Sequence, residues 1–170
     1  QFYDGISVIR SWTELKNNGE EDLGVEYVSS FALLGIDKEG LLSTDEKLEV
    51  LIARNAWQKE LIWNRFSMDQ LGMSISQPDK VRRSSQTISV GNTGNWSTKN
   101  YLPMGCLKNK ETDSILFWQI EQNGSWYWEI SDQDGHMYLQ LSGPTEHQSH
   151  WWKNLKPGDT FASVPVSVGS

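Results

Sequence analysis

Carboxylates are the most plentiful reactive groups in this chain: 22 Asp and Glu stand against 15 Lys and Arg, 3 His and a single cysteine, Cys106. Cutting a glycosidic bond takes two carboxylates held across one sugar at a defined separation. Glu121 and Glu129 flank Asn123-Gly124 and are the obvious pair to test. On a two-residue turn, Gln122 would face Ser125, Glu121 would face Trp126 and Glu129 would face Trp118, so several cross-strand pairs separate the two acids. They read as charges on a solvated face. The segment Glu146-His147-Gln148-Ser149-His150 gathers three potential metal ligands. On an extended strand His147 and His150 point to opposite faces, and the segment reads as a solvated turn. There is no Gly-x-Ser-x-Gly, no phosphate-binding P-loop, no Gly-x-Gly-x-x-Gly after a strand and no His-Glu-x-x-His. No metal and no cofactor is expected, and no catalytic residue is assigned.

Nine tryptophans give the chain its other chemistry. An indole contributes either core area or a flat contact surface, and the C–H face of a pyranose packs flat on such a ring. Burial statistics place about two-thirds of them in the core. Trp96 stands apart. It lies in the polar, glycine-bearing stretch Gly91 to Asn100, with no alternating partners around it and with Asn95, Ser97 and Thr98 beside it. A flat apolar face rimmed by hydrogen-bonding groups suits a sugar, so Asn95 and Trp96 are the sugar-contact candidates. The competing reading is a Trp96 that folds back to plug one end of the core. Asn95-Trp96-Ser97 and Asn123-Gly124-Ser125 also match the N-glycosylation triplet, which arises often by chance.

The formal charge of −7 excludes nucleic acid and anionic membrane as partners, since both need a basic face. One cysteine cannot form an intramolecular disulfide, and Cys106 reads as a buried free thiol. No apolar run is long enough to cross a bilayer. At 170 residues without an internal linker, the chain is expected to form one domain, residues 1 to 170. It opens on Gln1-Phe2-Tyr3, with neither an initiator Met nor a signal peptide, and is expected to be an excerpt of a longer chain.

Period-two alternation must position these residues. Leu23, Val25, Tyr27, Ser29, Phe31 and Leu33 predict one half-buried strand. Leu116, Trp118 and Ile120 predict a second; Trp126, Trp128 and Ile130 a third; Met137, Leu139 and Leu141 a fourth. Asn123-Gly124 and Asp134-Gly135 are turn pairs, so the last three strands are expected to form a hairpin-linked meander. Pro157-Gly158 leads into a final strand from Thr160 to Val168, which Pro165 assigns to an edge or a bulge. Gly5 to Trp12 and Thr87 to Val90 are further strands. Residues 43 to 54 read two ways: Ser43 with Glu46 makes a capping box for a helix, while Leu48, Val50 and Ile52 alternate as a strand. Turn pairs throughout and no sustained helical pattern give an all-β, antiparallel sandwich.

The order of motifs from Ser114 to Gly169 resembles the end of the N-terminal domain of glycoside hydrolase family 36, the α-galactosidases. The segments are Phe117-Trp118-Gln119-Ile120-Glu121, Asn123-Gly124-Ser125-Trp126-Tyr127-Trp128-Glu129-Ile130, Tyr138-Leu139-Gln140-Leu141-Ser142-Gly143-Pro144, and His150-Trp151-Trp152-Lys153-Asn154-Leu155-Lys156-Pro157-Gly158. Phe161 to Gly169 completes the order. Residues 5 to 112 resemble the family more weakly, through Arg10 to Gly19, through Trp57-Gln58-Lys59-Glu60, and through Ser84-Ser85, where Gln86 replaces the family's usual His. The extended family pattern around Trp57 favours a strand over residues 47 to 54.

The resemblance implies a supersandwich similar in fold to galactose mutarotase, here without its first strands. It implies a (β/α)8 catalytic barrel after residue 170, with a retaining mechanism whose two aspartates both lie on that barrel. The chain alone would then be no enzyme. Its implied partners are its own barrel, a terminal α-galactoside of the raffinose type and further copies of the full-length enzyme. The implied roles are to support oligomerisation and to lend a loop to an active site. A free-standing carbohydrate-binding module is the alternative, and a mutarotase-like enzyme ranks below both because fold analogy is a weak warrant for chemistry. A cytoplasmic location is expected over a secreted one.

Overall fold

The computed structural model describes residues 1–73, 86–133 and 135–170. Ser84 and Ser85 lie outside them. Fifteen strands and two one-turn α-helices follow one another along the described residues. In chain order the strands are β1 (Phe2–Tyr3), β2 (Ile6–Ser11), β3 (Glu14–Lys16), β4 (Leu23–Val25), β5 (Ser29–Leu34), β6 (Leu48–Ala56), β7 (Lys59–Ser67) and β8 (Thr87–Asn92). They continue as β9 (Tyr101–Asn109), β10 (Ser114–Ile120), β11 (Trp126–Gln133), β12 (His136–Ser142), β13 (Lys153–Leu155), β14 (Thr160–Ala162) and β15 (Val166–Gly169). The helices are α1 (Thr44–Lys47) and α2 (Glu146–Ser149).

Two antiparallel sheets face each other. The larger runs β1-β2-β15-β10-β9-β6-β7 and the smaller β5-β12-β11-β8. Two-stranded ribbons, β13-β4 and β14-β3, complete the described strands. This is the antiparallel all-β sandwich that alternation predicts. Leu48, Val50, Ile52, Leu107, Trp118, Ile120, Val166 and Val168 line the inner face of the large sheet; Ile88, Val90, Trp126, Trp128, Ile130, Leu139 and Leu141 line that of the small one. At the centre, Trp118 and Trp128 meet edge to face across the two sheets, ring centres 5.1 Å apart at 76°. Trp118 lies flat over Gly105 of β9, where a Cβ would fall 2.4 Å from its Cζ2. Phe117 does the same over Gly169 of β15 on the outer face. Glycine in both neighbours lets β10 carry a large ring on each face.

The expected meander is corrected at its first turn. β10 pairs with β9 and β15, while β11 pairs with β8 and β12. Residues 121 to 125 cross from one sheet to the other, and Gly124 is not among the residues with positive φ that a type I′ turn needs. The crossover is fixed from both sides: the Glu121 N–H donates to the Pro165 carbonyl, and Ser125 Oγ accepts from the Gly94 N–H. Alternation is equally satisfied, because Trp118 and Trp128 reach the same core from facing sheets. The second turn is a hairpin, with Gln133 opposite His136 and Gly135 at φ 81°.

Three further expectations change. The stretch from Leu23 to Leu33 is two strands, β4 and β5, paired with β13 and β12. Thr160 to Val168 is also two, divided before Val166, so Pro165 precedes an interior strand rather than marking an edge. Of the nine tryptophans only Trp118, Trp126 and Trp128 are buried; Trp12, Trp57, Trp63, Trp96 and Trp152 are exposed. Both readings of residues 43 to 54 hold in succession. The Ser43–Glu46 capping box closes one helical turn, and the chain then extends into β6 at Leu48.

Candidate functional site

The loop from Thr93 to Asn100 joins β8 to β9 and is fastened through its backbone. Asn92 Nδ2 donates to the Trp96 carbonyl. Trp126 Nε1 donates to the Ser97 carbonyl at 2.6 Å, and Asn55 Nδ2 to the Thr98 carbonyl at 2.6 Å. The Asn55 N–H reaches the Asn100 carbonyl at 3.0 Å. The donors Asn92 and Trp126 are buried, so the loop is held by the frame of the sandwich. Its side chains are not: Asn95 is exposed and Trp96 keeps 59% of its surface open. The Trp96 ring therefore does not plug the core.

Asn55 also ties the loop to the β6–β7 hairpin. There Ala56 faces Lys59, and Trp57-Gln58 form a two-residue turn with Gln58 at φ 61°. Trp57, at the tip, is 86% exposed. Between hairpin and loop lies a cleft of about 560 Å³ lined by Arg54, Asn55, Lys59, Asn64, Asn100 and Tyr101 among others. Arg54 stacks its guanidinium 5.5 Å from the Tyr101 ring centre. Amides, cations and a phenol form a surface that can bind hydroxyl-rich ligands. The lining holds no carboxylate. The sequence singled out Asn95 and Trp96 but not this cleft; Trp57 entered only through its family segment.

The carboxylates tested as an acid pair are each committed elsewhere. Glu121 takes a bidentate bond from Arg10 at 2.7–3.0 Å and another from Ser167 Oγ at 3.0 Å. The Arg10 hydrogen bonds hold its carboxyl below the usual carboxylate range. Glu129, in the other sheet, accepts from Tyr127 Oη at 2.6 Å and Tyr138 Oη at 2.8 Å. Burial, and the charge of Glu129 beside them, raise Tyr27 to about 12 and lift Tyr127 too. The Tyr127 phenol stays protonated at neutral pH and donates to Glu129. His147 sits on α2 rather than in a turn, and His150 caps that helix at φ 53°. Among the described residues no three His, Cys, Asp or Glu side chains gather to hold an ion.

No protein-family model and no curated protein matches the sequence. Solved structures do. AgaA, a family 36 α-galactosidase from Geobacillus stearothermophilus, superposes with a TM-score of 0.74 at 16% identity, over 98% of this chain and 20% of its own. The galactosidase domain of the α-galactosidase–sucrose kinase AgaSK gives 0.72 at 19%, over 96% of this chain and 20% of its own. The chain has the fold of the N-terminal domain of family 36 α-galactosidases. The α-galactosidase from Lactobacillus brevis agrees, at 0.69 and 15% identity. The chain spans about one fifth of the length of these enzymes. At such identities the likeness is one of fold; the side chains of the Trp96 end must be judged on their own chemistry.

Proposed function

We propose that this chain is the non-catalytic β-sandwich domain of an α-galactosidase whose retaining chemistry resides on a barrel after residue 170. The observation that carries the reading is the superposition over 96–98% of this chain on about a fifth of each α-galactosidase. In this reading the domain packs on its own barrel, supports oligomerisation, and presents the Trp96 loop to a galactoside of the raffinose type. The parent works in the cytoplasm, where a lone thiol such as Cys106 ordinarily stays reduced. The committed states of Glu121 and Glu129 support a chain without hydrolytic chemistry of its own. Purified chain should therefore release nothing from a chromogenic α-galactoside, even at high protein concentration. Turnover that disappears on replacing an Asp or Glu within residues 1 to 170 would overturn the reading.

The role of the loop is tested in the full-length enzyme. An exposed indole contributes contact rather than core packing, so Trp96→Ala should lower kcat/KM about tenfold, equivalent to about 1.4 kcal/mol. The melting temperature should hardly move. Unchanged kinetics with a lowered melting temperature would assign Trp96 to packing.

A further inference from the structure

A second aromatic cleft, of about 490 Å³, is built from four separate parts of the chain. Trp12 comes from the end of β2, Gln122 from the crossover, Pro144 and Trp151 from the segment around α2, and Phe161 from β14. Trp151 and Phe161 pack with ring centres 5.4 Å apart at 37°, forming one tilted wall. Trp12 retains 38% of its surface, and its Nε1 is spent on Glu14 at 3.0 Å, so it offers the cleft a ring face rather than an N–H.

The polar rim is Arg10 and Gln122. Arg10 lies 5.7 Å from the Trp12 ring centre and spends Nε and Nη2 on Glu121. Among the described residues its Nη1 makes no bond, and the Gln122 side-chain nitrogen makes none either, its oxygen accepting from the Asn123 N–H. The rim thus offers directed donors with the guanidinium charge cancelled by its partner. An anionic ligand gains no net charge attraction there, and a cationic one meets no free carboxylate on the lining.

We propose that the cleft between Trp12 and the Trp151–Phe161 wall binds a neutral pyranoside, a carbohydrate site separate from the Trp96 loop. The ligand class coincides with that of the proposed function but is read from this cleft alone. A pyranose stacks its C–H face on an indole while its hydroxyls accept from Arg10 Nη1 and the Gln122 amide.

The test is a titration of the folded chain with raffinose, following the nine indole N–H resonances by ¹⁵N NMR, each assigned from a single Trp→Phe variant. Trp12 and Trp151 should shift together and saturate with a midpoint of about 1 mM. Trp12→Ala should weaken the response at Trp151 about tenfold or more. Should that variant fail to fold, Gln122→Ala carries the test, with an expected weakening of about threefold. Shifts at Trp12 and Trp151 without any at Trp96 support this site and leave the loop's role to the kinetics of the full-length enzyme. Shifts at Trp96 alone overturn this site and leave the proposed function standing. Equal shifts with sorbitol, which has no pyranose face, or no saturation by about 50 mM, also overturn it.

Discussion

Trp128→Ala should lower the stability of the sandwich by about 3–5 kcal/mol, the usual cost of truncating a buried Trp. Domain stabilities are about 5–15 kcal/mol, so the variant keeps only part of its folding free energy. For a chain of this size the loss corresponds to a fall in Tm of about 6–20 °C, read by thermal unfolding. The magnitude follows from position. Trp128 is fully buried, sits between Val90 and Leu141 on its own sheet, and meets Trp118 from the other. Truncation opens a cavity that touches both layers. Trp128→Phe should cost clearly less. It keeps a ring in the site and removes an indole N–H that has no protein acceptor among the described residues. A Trp128→Ala protein melting within about 2 °C of the parent would show that the centre of the core lies elsewhere.

Gly105→Ala is expected to be the most damaging single-methyl addition on the large sheet, at about 1–3 kcal/mol or more. The new Cβ would lie 2.4 Å from Trp118 Cζ2 and 2.6 Å from its Cε2. Trp118 has no room to retreat, being 1% exposed and braced by Trp128. Near-ultraviolet circular dichroism should report the displaced indole along with the lowered Tm. Replacing Trp118 by Leu in the Gly105→Ala background should restore part of the loss, since the two sites then couple favourably. Gly24→Ala is the control. It has open space at its Cβ position and should be neutral or gain about 0.4–1 kcal/mol from a stiffer unfolded chain. Equal losses at Gly24 and Gly105 would remove the steric explanation.

The faces of β10, β11 and β12 were readable from alternation alone; the same pattern turned Leu23, Tyr27 and Leu33 inward, yet they are exposed while Ser30 is buried. The inward Trp118, Ile120, Trp126, Trp128, Ile130, Leu139 and Leu141 are all buried. Strand partners were not readable, for a physical reason. Period two says which way a side chain points, not which strand lies beside it, and Asn123-Gly124 is a turn signal only if the flanking strands share a sheet. Here β10 is claimed by β9 and by β15, the latter more than forty residues further on. The site was legible in the same uneven way. Trp96 stood out because it breaks alternation. The Trp57-Gln58 turn carries no Gly, Asn or Asp to announce it, yet Gln58 and Leu61 both adopt positive φ there. The cleft at Trp12 draws on both ends of the sequence, from Arg10 to Pro165, and leaves no local mark.

The place of β15 has a consequence for synthesis. β15, the last of the described strands, sits in the interior of the large sheet, between β10 and β2. On the ribosome, β2 waits for its second neighbour until Val166 to Gly169 have cleared the exit tunnel. A product ending before Val166 would leave β1-β2 detached from β10-β9-β6-β7, with two raw strand edges exposed to other nascent chains. Translation stalled in the last few codons of this segment should therefore be far more prone to aggregation than the few missing residues suggest, and the sandwich closes only when its end is made.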